Sequence, residues 1–303
     1  MSQRIGAATG MRPRPLSQPL PKGARSRKVL SSIIFALASL IGVVAFVSPF
    51  FLPQVVQNPT GAVAQTQSPV FLVALLVLSL GALILEAQGQ VMNAKLIALL
   101  GVLIAINSAL RFAENALPGP GGFTPVFMLI ILTGTVFGAR IGFLMGALSM
   151  LVSAFVTGGV GPWLPYQMFT AGWMGMSAGL LGKVKSGKWR GERCVSPLST
   201  LLSPLLLFSA VWGFLYGVIM NLWSWPFQAG DPTQSWQAGL SALDGVKRYA
   251  VFYVATSLWW DAFAAIGNVV LIALFGLPTL KALLRFKRKF LFEVEPTSNS
   301  VNE

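Results

Sequence analysis

Uncharged apolar runs of about 20 residues follow one another along most of this 303-residue chain. A helix rising about 1.5 Å per residue crosses the hydrocarbon core of a bilayer in that length, and inside the core each segment must satisfy its own backbone polar groups. A membrane barrel would show short alternating strands instead. The expected fold is therefore all-α, a polytopic membrane helical bundle with helices at about 29–52, 70–87, 94–113, 123–137, 140–157, 164–182, 200–223 and 250–276. With 54% hydrophobic and 10% charged residues, a soluble domain has too little polar surface to cover itself.

The formal net charge of +13 raises the question of nucleic acid, and the placement of the charges answers it. Residues 1–28 hold seven basic residues, no acidic ones and four prolines, a composition suited to a disordered basic tail. The apolar run that follows is too long for a signal-peptide core and has no clear cleavage site, so it reads as a retained helix. If the N-terminus is cytoplasmic, 19 of the 22 Lys and Arg residues fall on the cytoplasmic side of eight spans, leaving Arg111, Lys247 and Arg248 outside. The positive-inside bias and anionic lipid headgroups account for that asymmetry. The reading is a multi-pass protein of a bacterial cytoplasmic membrane, both termini cytoplasmic, with membrane lipids around it and no nucleic-acid partner.

Histidine is absent and Cys194 is the single cysteine, so the usual zinc sites and the Ser-His and Cys-His nucleophile pairs lack their parts. The acidic residues Glu86, Glu114, Asp231, Asp244 and Asp261 form no DxxxD-like pair of the sort that holds magnesium in lipid-modifying membrane enzymes. No Gly-x-x-x-x-Gly-Lys-Ser/Thr phosphate loop is present. The chain is thus expected to bind no cofactor or metal and not to be an enzyme. An integral-membrane lipid-modifying enzyme and a non-transporting membrane scaffold are the competing readings.

Ionisable residues at bilayer depth cost at least about 2.5–3.5 kcal/mol on insertion scales, so each needs a partner or a watery cavity. On the helix from 94, Asn107, Arg111 and Glu114 share one face, and on the last helix Asp261 and Asn268 do the same. Arg111 and Asp261, with Asn107, Asn268, Tyr166 and Gln167, either line an outward-facing pocket or, through an Arg111–Asp261 ion pair, only fix helix packing. Glu86, at the end of the second helix, reads as a snorkelling carboxylate without a functional role. The expected outer loops contain Gly158-Gly159-Val160-Gly161-Pro162-Trp163 and a long segment from Trp225 to Arg248 read as a lid-like loop. Trp163, Trp223, Trp225 and Trp236 suit headgroup depth. Small residues recur on three helices: Ala94, Ala98, Gly101, Ala105 and Ala109; Gly138, Gly142, Gly146 and Ala147; and Ala171, Gly172, Gly175 and Gly179. Such stripes let helices approach closely, within one chain or between two.

From Ala94 onward the chain resembles the substrate-binding membrane subunit, or S component, of energy-coupling factor (ECF) vitamin transporters. The six spans of 94–276, the Ala94-x-x-x-Ala98 motif, the Phe137-Gly138-Ala139-Arg140-Ile141-Gly142-Phe143 turn and the Gly159-to-Met168 segment carry the resemblance. It implies a six-helix S-component-like core over 94–276 that captures a vitamin or precursor from outside. Delivery would follow with a transmembrane coupling subunit and two ATPase subunits that hydrolyse ATP. The outer loops look most similar to cobalamin-type members. By position, Ala94 and Ala98 would contact the coupling subunit; the groups read above as a pocket, Asn107, Arg111, Tyr166, Gln167, Asp261 and Asn268, with Trp163 of the outer loop, are then the expected substrate-binding residues. Residues 29–93, two further transmembrane helices, look like an N-terminal addition suited to packing against a partner, and 277–303 a basic cytoplasmic tail.

Overall fold

The computed structural model describes residues 22–47, 50, 73–74, 77–78, 81, 94–117, 119, 123–188, 202–228, 231–237 and 239–290. The helix expected at 70–87, Glu86 with it, and the loop around Cys194 therefore lie largely or wholly outside the described residues. Among those described there are eight α-helices and no strand: α1 (Lys22–Val47), α2 (Ala94–Ala116), α3 (Val126–Phe137), α4 (Ala139–Thr157), α5 (Leu164–Lys188), α6 (Leu202–Ser224), α7 (Ala242–Thr256) and α8 (Leu258–Phe290). Four of these, α2, α4, α6 with the short 3-10 turn after it, and α8, contain segments long and apolar enough to cross a membrane. Shorter apolar stretches lie at Ser32–Val47 and Val126–Phe137. The expected polytopic helical bundle is the architecture found.

Local chemistry sets the boundaries. Pro125 precedes α3, and Gly138, at φ 96°, lets the chain turn straight into α4 without a loop. Gly158, left-handed at φ 68°, closes α4 as a C-cap with its N–H bonded to the carbonyl of Ala154. The basic turn at 137–143 is thus an elbow between two helices.

α3, α4 and α5 form the core. Every residue of α3 from Val126 to Gly134 is buried, and α4 and α5 share the most extensive contact in the fold. That contact is a glycine seam: a Cβ on Gly142 would collide with the carbonyl of Gly175, one on Gly175 with that of Gly142, and one on Gly146 with that of Ala171. α2 packs on α4, and α8 on α6 and α3.

One finding adds to the expectations and one changes them. First, α1 packs on the chain's own core: Phe35, Ala38, Ala45 and Phe46 are buried on one face, with Phe35 edge-on to Phe143 and Phe46 to Tyr166. The spacing is that of one helical face, and its aromatic groups meet rings presented by α4 and α5.

Second, the segment read as a lid-like loop up to Arg248 holds a helix. α7 begins at Ser241, whose hydroxyl oxygen accepts from the N–H of Asp244 and whose O–H donates to that carboxylate. It ends where Thr256 turns its hydroxyl back to the carbonyl of Phe252 and Ser257 leaves helical geometry, which breaks the single helix expected from 250. α8 then runs on through the expected C-terminal tail to Phe290.

Candidate functional site

The C-terminal ends of α2, α4 and α6 and the N-terminal ends of α3, α5 and α8 gather at one end of the bundle, as alternating helix directions require. There they enclose a cavity of about 280 Å³. Arg111, Glu114 and Asn115 reach it from the last turns of α2, and Thr124 from the connection to α3. Phe127 of α3, Met150 of α4 and Gln167 of α5 form further walls, and Tyr216 of α6 and Asp261 of α8 complete them.

Arg111 is held by α4 and α5. Its Nη2 donates to Oε1 of Gln167 at 3.1 Å, and its Nη1 lies 3.4 Å from the hydroxyl of Ser153 and 2.8 Å from the sulfur of Met150. Glu114, one turn further along, accepts from the hydroxyl of Thr124 at 2.7 Å. Asp261 rests against Gly217: any Cβ there would overlap the Asp261 carboxylate, so the glycine on α6 makes the space the carboxylate occupies. Its Oδ2 is buried and makes no hydrogen bond of good geometry among the described residues, with the Tyr253 hydroxyl beside the carboxylate. Arg111 and Asp261 thus line one cavity but form no ion pair within 4.0 Å.

Of the residues expected at the site, Arg111, Gln167 and Asp261 line this cavity and the other four do not. Asn107, one turn below Arg111 on α2, is fully buried with both amide atoms unpartnered among the described residues. Asn268, two turns below Asp261, is also fully buried, with its Nδ2 3.4 Å from the carbonyl of Ser209. Tyr166 is packed between Phe46 and Trp223, stacking on the latter at 4.7 Å. Trp163 lies at the surface, its indole N–H donating to the carbonyl of Gly159 at 3.2 Å. Trp225 is buried within the protein, its indole N–H bonded to the carbonyl of Gln234.

Sequence reasoning missed Glu114, Thr124, Phe127 and Tyr216 as lining residues. For Glu114 the signal was present, since it shares a helical face with Arg111. Nothing local marks Phe127 or Tyr216, whose rings meet 4.6 Å apart only because α3 and α6 are neighbours. Among the described residues no three His, Cys, Asp or Glu side chains converge as a metal site would require. A second hollow, about 580 Å³, lies between α7 and the end of α6, walled by Phe50, Trp225, Trp236 and Tyr249.

Neither a curated protein nor a solved structure matches the chain. The model of one family, described as ECF transporter, substrate-specific component, matches residues 95–276, the stretch that runs from the start of α2 into α8 and supplies every wall of the charged cavity. That match covers more than half of the sequence, and the chain therefore belongs to the family of substrate-specific components of ECF transporters, multi-pass membrane subunits that work with an ECF module.

Proposed function

We propose that this chain captures a vitamin-class solute or its precursor from outside a bacterial cytoplasmic membrane and delivers it inward with a transmembrane coupling subunit and two ATPases. The observation that carries the reading is the polar cavity at one end of the bundle, walled by side chains from six helices within the family match. Charged groups at bilayer depth need such a cavity, and a solute-binding subunit uses one. In this reading residues 94–276 are the substrate-binding core, α1 braces it, and both termini are cytoplasmic.

Ala94 and Ala98 are the proposed contact with the coupling subunit. Ala98 is exposed, and a Cβ on Gly101, one turn on, would meet nothing within 4 Å, so a second helix could approach α2 closely there. The cobalamin-type solute suggested by the outer loops is far larger than a space of about 280 Å³. A smaller solute of one or two rings fits that volume, near the lower end of ligand pockets at about 300 Å³.

The test is co-expression of the tagged chain with a coupling subunit and its ATPases, followed by purification and mass spectrometry of bound small molecules. Co-purification of the module, with ATP-dependent uptake by cells, is the expected result; a chain that recruits no module and carries only lipid would support the enzyme or scaffold reading instead. Orientation is checked by Val160→Cys in a Cys194→Ser background. A membrane-impermeant thiol reagent should label it from outside, and labelling only after lysis would reverse the proposed direction of capture.

A further inference from the structure

We infer that the solute taken by the charged cavity carries a cationic nitrogen on or beside an unsaturated ring; the inference rests on the proposed role of that cavity as the substrate site. The charge inventory comes first: one guanidinium, Arg111, faces two carboxylates, Glu114 and Asp261, so with all three ionised the walls carry one net negative charge.

The hydrogen bonding then decides which of these groups await a ligand. Arg111 already donates from its terminal nitrogens to Gln167, Ser153 and Met150. An incoming carboxylate or phosphate would share the guanidinium with those partners while facing two like charges. The carboxylates have fewer donors around them. Among the described residues neither forms an ion pair within 4.0 Å; Glu114 accepts one hydrogen bond from Thr124, and Asp261 has the Tyr253 hydroxyl beside it while its Oδ2 makes no hydrogen bond of good geometry. A carboxylate held in such surroundings by one neutral hydroxyl is costly, and an N⁺–H donor recovers that cost through a charge-assisted hydrogen bond.

The apolar walls fit the same ligand. Phe127 and Tyr216 meet at 4.6 Å and both line the cavity, offering aromatic surface to a flat ring and to a cation. Gly217 fixes where the anion sits, because a side chain at that position would push the Asp261 carboxylate away.

The test uses a matched set of probes on the purified full chain in detergent: benzylammonium, benzyl alcohol and benzoate, each at millimolar concentration, with thermal unfolding as the readout. Benzylammonium should raise the unfolding temperature and the other two should not. Asp261→Asn should weaken the benzylammonium response at least tenfold, while Asp231→Asn, an exposed change away from the cavity, should leave it intact. If Asp261→Asn is not recovered folded, Glu114→Gln carries the same comparison. A response to benzoate equal to or greater than that to benzylammonium overturns the inference, as does benzyl alcohol binding equally well, yet in both cases the cavity remains a solute site. No response to any of the three overturns the inference and removes this cavity as the site. Recruitment of the coupling module is read separately and is untouched by either result.

Discussion

Along α4, Gly142 and Gly146 press against the backbone of α5, whereas along α2 Gly101 faces open space and Ala98, Ala105 and Ala109 are exposed. Both stripes are small residues recurring about every three or four positions, mostly alanine on α2 and mostly glycine on α4. One is filled by the chain itself, the other by nothing in the chain that the described residues show. Small residues let backbones come close, but they do not say whose backbone comes. In α4 the answer is α5, which returns immediately after a short turn and supplies its own glycines. In α2 the small face points away from the neighbours α3 and α4, while Leu96, Leu100, Leu103 and Ile104 are buried on the other side.

The sharpest way to break that contrast is to put a side chain into each stripe. Gly142→Leu should be the most damaging substitution, because the obstructing atom is the backbone carbonyl of Gly175 and no rotamer change relieves it. We expect a loss of at least about 3 kcal/mol, seen as failure to recover folded protein or a collapse of the unfolding temperature. Normal stability would mean that α4 and α5 are not in this register.

Ala98→Trp should do the reverse. Its stability should stay within about 0.5 kcal/mol of the parent, since an exposed position offers nothing to collide with. Uptake in cells carrying the coupling module should nevertheless be lost, and solute binding by the isolated subunit should be retained. Loss of binding together with uptake would assign the stripe to internal packing and equate the two faces.

A third seam tests whether close approach also shapes the site. Gly217→Ala should cost about 1–3 kcal/mol and displace the Asp261 carboxylate from its place against α6. The benzylammonium response should fall with it. An unaltered response would show that the carboxylate's position does not matter for binding.

How far the sequence spoke differs along the same lines. Helix positions over 94–224 were legible to within a few residues, because long apolar runs and Gly or Pro boundaries are local signals. Arg111, Gln167 and Asp261 were legible as cavity groups because polar atoms in an apolar span need an explanation. Asn107 and Asn268 looked equivalent by the same logic, yet they sit deeper and are enclosed. Depth along a helix is visible in sequence, but how tightly neighbouring helices close around that depth is not. α7 was missed for a different reason: Lys247 and Arg248 interrupt any apolar run, so the segment resembles a loop when only bilayer spans are sought. The Ser241-Ala242-Leu243-Asp244 cap was the available signal.

The smallest expected effect separates the stripes by sign. Gly101→Ala adds a methyl group that would meet nothing within 4 Å, so the substitution acts mainly through the helix's own backbone freedom. Alanine restricts the unfolded chain and suits a helix interior better than glycine, which gives a gain of about 0.5–1 kcal/mol. The same chemical change at Gly142 would drive the methyl group into the carbonyl of Gly175 and must destabilise. Thermal unfolding of the two variants side by side reads the difference directly. If Gly101→Ala stabilises the isolated subunit but slows uptake, the methyl group has been felt by a surface that is present only in the assembled transporter. If it destabilises the subunit, α2 is covered from within the chain after all, and the two stripes are one kind of contact.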